Sequence, residues 1–143
     1  MVKAKAIMKT RVLSVTKDTD VYEAIRIMVA NQVTGLPVID EEERLVGIVT
    51  EKDVLHMLYE VEDSPNPVSH FMTQPVVWFD EEEDLEVIAE SLRGNNFRRV
   101  PILREGRLIG VISRRDVIRH ITEERLGVPI PCDRTFEGYP AER

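Results

Sequence analysis

Apolar residues recur along this chain in a fixed order, and the order occurs twice. Residues 12–15 form a short run rich in β-branched side chains, which predicts a strand. Lys17-Asp18-Thr19-Asp20 is a polar turn, with Asp20 placed to cap a helix. Val21, Ala24, Ile25 and Met28 then fall at i, i+3, i+4 and i+7, one face of an amphipathic helix. Ile27 and Val29 widen that face, so the helix is expected to be well buried. The pattern breaks at residues 32–35. Leu36-Pro37-Val38-Ile39 predicts a strand whose proline sits near its start, where a missing donor does least harm. Residues 40–44 read as a charged hairpin turn, residues 45–49 as the return strand, and Thr50 opens a second helix bearing Val54, Leu55 and Leu58.

After an acidic stretch at residues 59–67, broken by Pro65 and Pro67, the order returns. Residues 76–79 are the strand and Asp80-Glu81-Glu82-Glu83-Asp84 the polar turn. Leu85, Ile88, Ala89 and Leu92 lie 64 positions after Val21, Ala24, Ile25 and Met28, and Val100-Pro101-Ile102-Leu103 matches residues 36–39 at the same offset. The hairpin turn is one residue shorter, so Val117, Ile118 and Ile121 follow Val54, Leu55 and Leu58 by 63. Apolar phase maintained through five elements is an internal repeat, and a repeat fixes architecture before any single motif is read. The divisions expected are residues 1–62 for the first copy, 63–68 for a linker, 69–122 for the second copy and 123–143 for an irregular C-terminal arm holding Pro129, Pro131 and Pro140.

Each copy is near the size at which a lone core is marginal. The expected solution is an α+β fold in which two β-α-β-β-α units pack through their sheets about a pseudo-twofold axis, leaving clefts in equivalent pairs where a ligand could sit. With 143 residues, 43% apolar and 31% charged, the chain has the composition of a globular protein. No apolar run approaches the ~20 residues that cross a bilayer. Residues 1–10 hold three lysines but no secretory pattern, and the single cysteine, Cys132, permits no internal disulfide. A cytoplasmic protein fits both. A formal charge of −7 argues against general nucleic-acid binding.

The chemistry-bearing stretch is itself duplicated. Gly47-Ile48-Val49-Thr50-Glu51-Lys52-Asp53 is matched by Gly110-Val111-Ile112-Ser113-Arg114-Arg115-Asp116. Thr50-x-x-Asp53 and Ser113-x-x-Asp116 each fit a helix capping box. They also fit ligand recognition: a carboxylate suits a vicinal diol, and a helix start turns N–H groups toward an anion. Both roles can coexist. Arg98, Arg99, Arg114 and Arg115 flank the second copy and suit phosphate, whereas Arg104 and Arg107 at the hairpin read as a solvated face. The copies differ where Thr16 corresponds to Asp80 and Ser14 to Trp78, so two clefts would be unequal. Asp80 to Asp84 reads most simply as a solvated turn, and Trp78 as packing rather than a base platform. His56, His70 and His120 lack metal-ligand spacing, Cys132 lacks a base partner, and Met8, Met28, Met57 and Met72 read as core fillers. No nucleophile, base and orienting group converge, so no enzyme is expected.

The paired Gly-x-x-[Ser/Thr]-x-x-Asp segments, the two apolar-Pro-apolar strands, and the openings Ile7-Met8-Lys9-Thr10 and Phe71-Met72-Thr73-Gln74 resemble a tandem pair of CBS domains, named for cystathionine β-synthase and called a Bateman module when paired. The resemblance covers about residues 5–122. It implies a regulatory module that binds AMP, ADP, ATP, NAD or S-adenosylmethionine in clefts between the two motifs, requires no cofactor, and signals to a homodimer interface or a separate effector protein. Asp53 and Asp116 would accept from the ribose hydroxyls, and Thr50 and Ser113 would contact ribose or phosphate. The backbone at Leu36-Pro37 and Val100-Pro101 would line the adenine pocket. Thr16, Lys52, Arg98, Arg99, Arg114 and Arg115 complete the expected set. An interaction scaffold with vestigial clefts is the alternative.

Overall fold

The computed structural model describes residues 1–60 and 66–131. They form a mixed α+β protein of two compact units. The first unit comprises Leu13–Val76 and Gly106–Leu108; the second comprises Met1–Val12, Val77–Glu105 and the chain from Ile109 onward.

In the first unit, β1 (Val15–Thr16) pairs parallel with β2 (Gly35–Ile39), and β2 pairs antiparallel with β3 (Leu45–Thr50). The register sets Val15 opposite Val38, Leu36 opposite Val49 and Gly35 opposite Thr50. The first strand is shorter and later than the apolar run suggests, because only Val15 and Thr16 pair with β2. Two helices cover the sheet, α2 (Val21–Asn31) and α3 (Glu51–Glu60). Asp20 caps α2, its carboxylate accepting from the Tyr22 N–H at 3.1 Å, and Gln32 closes the helix in a left-handed conformation. Val15, Ala24, Met28, Val33, Leu36, Val38, Val49, Val54 and Val68 make the core.

The second unit repeats this. β4 (Phe79–Asp80) pairs parallel with β5 (Arg99–Arg104), which neighbours β6 (Arg107–Ser113). Helices α4 (Leu85–Gly94) and α5 (Arg114–Leu126) complete it around Leu85, Ile88, Leu92, Val100, Ile102, Ile112 and Val117. The last helix runs past its final core-facing residue to Leu126 and stops at Gly127, whose φ of 73° provides the left-handed close. Cys132 lies outside the described residues.

The helices bury a narrower stripe than the apolar positions suggest. Val29 is 71% exposed, because at ~100° per residue it falls well off the stripe centred on Val21, Ala24 and Met28. In α3 the buried pair is Val54 and Met57, while Leu55 and Leu58 face outward; Ile118 on α5 does the same. Trp78 is half exposed rather than packed in a core.

Each unit takes its lead-in segment from the other copy of the repeat. The short helix α1 (Ala4–Ile7) belongs to the second unit, where Ala4 is fully buried. There the Leu85 N–H donates to Val2 O, Ala4 N–H to Glu83 O and Lys5 N–H to Glu81 O. In the first unit, Val21 N–H donates to Asn66 O, Val68 N–H to Thr19 O and Ser69 N–H to Lys17 O. These are the same three bonds, 64 residues apart. They explain two features that look unrelated in sequence, the N-terminal lysines and the acidic run. Lys3 Nζ reaches Asp84 at 2.6 Å and Lys5 Nζ reaches Glu82 at 2.5 Å, while Arg104 pairs with Glu81.

Two outcomes follow from this packing. Met57→Ala should cost about 2–5 kcal/mol in urea unfolding, and Leu55→Ala less than about 1 kcal/mol. The Arg104 guanidinium holds the Glu81 carboxyl below its ordinary value of 4.5. Its contribution to stability is therefore complete above that value and is lost as pH falls through the depressed one. Glu81→Gln should flatten that part of the Tm profile, which lies below about pH 4.5.

Candidate functional site

The duplicated Gly-x-x-[Ser/Thr]-x-x-Asp stretch forms, in each unit, the end of the third strand and the first turn of the helix that follows. The glycine serves packing. A Cβ on Gly47 would lie 2.6 Å from Met72 Sδ, and one on Gly110 would lie 2.6 Å from Met8 Sδ and 3.2 Å from Lys9 O. With no side chain there, the lead-in lies down against the third strand. Thr73 and Ile48 exchange backbone hydrogen bonds of 2.7 and 3.1 Å, and Lys9 and Val111 exchange two of 3.0 Å.

That contact brings a second segment onto each motif aspartate. In the first unit, Asp53 Oδ2 accepts from Thr50 N–H and Thr50 Oγ1, both at 2.9 Å, and the Asp53 N–H returns to Thr50 Oγ1 at 3.4 Å. The Thr73 hydroxyl approaches both carboxylate oxygens, at 3.0 and 3.2 Å. In the second unit, Ser113 and Asp116 form a full capping box, with Ser113 N–H donating to Asp116 Oδ2 at 2.9 Å and Asp116 N–H to Ser113 Oγ at 3.1 Å. There the third contact is ionic: Lys9 Nζ lies 3.0 Å from Asp116 Oδ1. Lys9 and Thr73 occupy matching places, and both lie outside the set of site residues expected from sequence. Their 64-residue separation within the two openings was the available signal; the aspartate each would meet was not.

The remaining candidates sort by element. Thr50 pairs with Gly35 across β2 and β3, and Glu51 N–H donates to Thr34 O at 3.0 Å. Arg114 N–H makes the equivalent bond to Arg98 O at 2.8 Å. The loop before the second strand therefore lies against the helix start in both units, beside Asp53 and beside Asp116. Leu36, Pro37, Val100 and Pro101 are buried, so their side chains serve the core. Thr16 sits exposed at the end of β1, its hydroxyl 3.0 Å from that of Thr19. Lys52, Arg98 and Arg115 are exposed and Arg99 is half-buried. The Arg114 guanidinium is engaged at the end of α4, with Nε 3.2 Å from Leu92 O and Nη2 2.5 Å from Asn95 O. Asp80 accepts from Glu82 N–H at 2.9 Å. Among the described residues no group of His, Cys, Asp or Glu is arranged to hold a metal ion, and no helix is long and apolar enough to cross a membrane. A groove of about 340 Å³ runs along α4 and α5, lined by Ala89, Leu92, Arg93, Arg114, Val117 and Ile118.

A two-copy β-α-β-β-α chain with a capping-box aspartate in the first turn of each closing helix defines a class of small tandem module. The chain belongs to the CBS domain family, whose model matches residues 4–60 and again residues 68–123. Inosine-5'-monophosphate dehydrogenase of Methanocaldococcus jannaschii is 38% identical over 118 residues, 82% of this chain and 23% of that enzyme. An uncharacterized protein of the same organism is 31% identical over 115 residues, 80% of this chain and 41% of that one. The chain thus spans about two fifths of one relative and under a quarter of the other. Among solved structures, CBSX2 of Arabidopsis thaliana in complex with AMP superposes with a TM-score of 0.79 at 30% identity, covering 87% of this chain and 99% of that one.

The methionine-on-glycine contact is directly testable. Gly110→Ala should destabilise the protein by about 1–3 kcal/mol in chemical denaturation, because the added methyl meets a backbone oxygen as well as sulfur. Gly47→Ala should cost less, since all three neighbours are atoms of the flexible Met72 side chain.

Proposed function

We propose that this chain is a sensor that binds an adenosine-containing ligand at its Thr50/Asp53 and Ser113/Asp116 segments and passes occupancy to a homodimer interface or a separate effector. The observation that carries the reading is the likeness, along nearly the whole of CBSX2, to a protein captured with AMP. AMP is accordingly the first ligand to test, ahead of ADP, ATP, NAD and S-adenosylmethionine.

The local chemistry supports it. Each carboxylate offers about four lone-pair positions, and capping leaves part of that capacity for a ribose diol. Each stands at the start of a helix of ten or more residues, where the dipole favours an anionic group. The module is regulatory rather than catalytic on this reading, and a ligand acts by favouring one arrangement of the protein over another. Apolar side chains left outward on the helices, Val29, Leu55 and Leu58 in the first unit and Val87 and Ile118 in the second, give a dimer or effector something to cover.

Isothermal titration calorimetry with the five ligands at millimolar concentration tests the proposal. Saturable heat with AMP is expected, together with a rise in Tm, since ligand at about a hundred times Kd adds roughly 2.7 kcal/mol. The double variant Asp53→Ala/Asp116→Ala should abolish the heat. A scaffold without ligand would instead show no heat in either protein, and the variant would lose only its caps, about 1 kcal/mol each.

A further inference from the structure

We propose that the two motifs accept ligands of different charge: the Asp116 site takes a phosphorylated adenosine compound, and the Asp53 site an uncharged one. Lys9 is the residue that sets them apart. This rests on the adenosine reading above and adds a division of labour between its two sites.

The two sites share a backbone and differ in charge at three matched positions, Thr73 and Lys9, Thr34 and Arg98, and Glu51 and Arg114. Met8 on Gly110 and Met72 on Gly47 place Lys9 and Thr73 alike, each fixed by a pair of backbone hydrogen bonds. At Asp53 the resident partner is the neutral Thr73 hydroxyl, so that carboxylate keeps its full negative charge. At Asp116 it is the Lys9 ammonium, 3.0 Å away, with the two side chains 28% and 10% exposed. The loop that meets the helix start presents Thr34 in one unit and Arg98 in the other. The first helical turn reads Glu51-Lys52 in one and Arg114-Arg115 in the other. The Asp53 motif is therefore net negative and the Asp116 motif net positive.

A ribose held through its diol carries its phosphate on the same sugar, within reach of the carboxylate's field. An unneutralised carboxylate repels that phosphate, and a paired one flanked by arginines does not. In the acidic turn of the second unit, Glu81, Glu82 and Asp84 are paired with Arg104, Lys5 and Lys3, and Asp80 and Glu83 accept from the backbone N–H groups of Glu82 and Asp84, so most of the turn's charge is already offset. A hydroxyl in the place of Lys9 can also turn and accept from a sugar, which an ammonium cannot.

Calorimetry with AMP and with adenosine on the full chain tests the division. In an otherwise unchanged chain, Asp116→Ala should remove AMP binding and leave adenosine heat, and Asp53→Ala should do the reverse. Lys9→Thr should lower the ratio of AMP to adenosine affinity by roughly tenfold, the weight of about one charge-assisted hydrogen bond. Thr73→Lys should raise the ratio at the other site. Should Lys9→Thr impair folding, a salt titration of the wild-type protein gives the same information: AMP affinity should fall with ionic strength and adenosine affinity should not. An unchanged ratio in Lys9→Thr, or equal salt sensitivity of both ligands, overturns the division while leaving the adenosine reading in place. Absence of heat from every adenosine compound removes that reading and this inference with it.

Discussion

The contact on which the site depends is a sulfur atom resting on a bare backbone. Met8 and Met72 lie where the Cβ of any residue other than glycine would intrude, at Gly110 and Gly47. That closeness lets each lead-in segment pair edge to edge with the third strand of its unit. The pairing in turn delivers Thr73 to Asp53 and Lys9 to Asp116. The glycine of the motif is thus separated from its aspartate in function. One admits a neighbouring segment; the other receives what that segment brings.

The capping contact and the contact from the lead-in segment fall on different oxygens of one carboxylate at Asp116 and overlap at Asp53. In Asp116 the capping bond falls on Oδ2 and the lysine on Oδ1. In Asp53, Oδ2 takes both contacts from Thr50 and the Thr73 hydroxyl bridges the two oxygens. The helix start is thus held by hydrogen bonds of its own, and a ligand bound there would find it already ordered. Arg114 shows the opposite allocation. Its guanidinium holds the end of α4, so any contact with a phosphate would compete with an existing structural bond, whereas Arg98 and Arg115 remain exposed.

Much of this was legible in sequence, for identifiable reasons. The order of elements came from apolar spacing that matched in both copies, and Val21, Ala24 and Met28 are buried along with Leu85, Ile88 and Leu92 as that spacing requires. The capping boxes were legible because they are local, spanning Thr50 to Asp53 and Ser113 to Asp116. Helix faces were overread: Leu55, Leu58 and Ile118 are as apolar as their buried neighbours, and spacing alone does not say that they point outward. The partners of the acidic run were invisible for another reason. Lys3 and Asp84 are 81 residues apart, and no local rule joins them. Lys9 and Thr73 fall between these cases, marked by the repeat but given meaning only by a long-range strand contact.

The exchange of lead-in segments has a consequence for how the chain can be divided. Val2, Ala4 and Lys5 complete the copy that follows them by some eighty residues, and Asn66, Val68 and Ser69 complete the copy that precedes them. A contiguous half severed after the first copy would carry a strip meant for its missing sibling and lack the one it needs. Two such halves, made separately and mixed, could restore each other only by trading those strips between molecules. The duplication is therefore not two beads on a string but a reciprocal loan, and neither copy is whole within its own stretch of sequence.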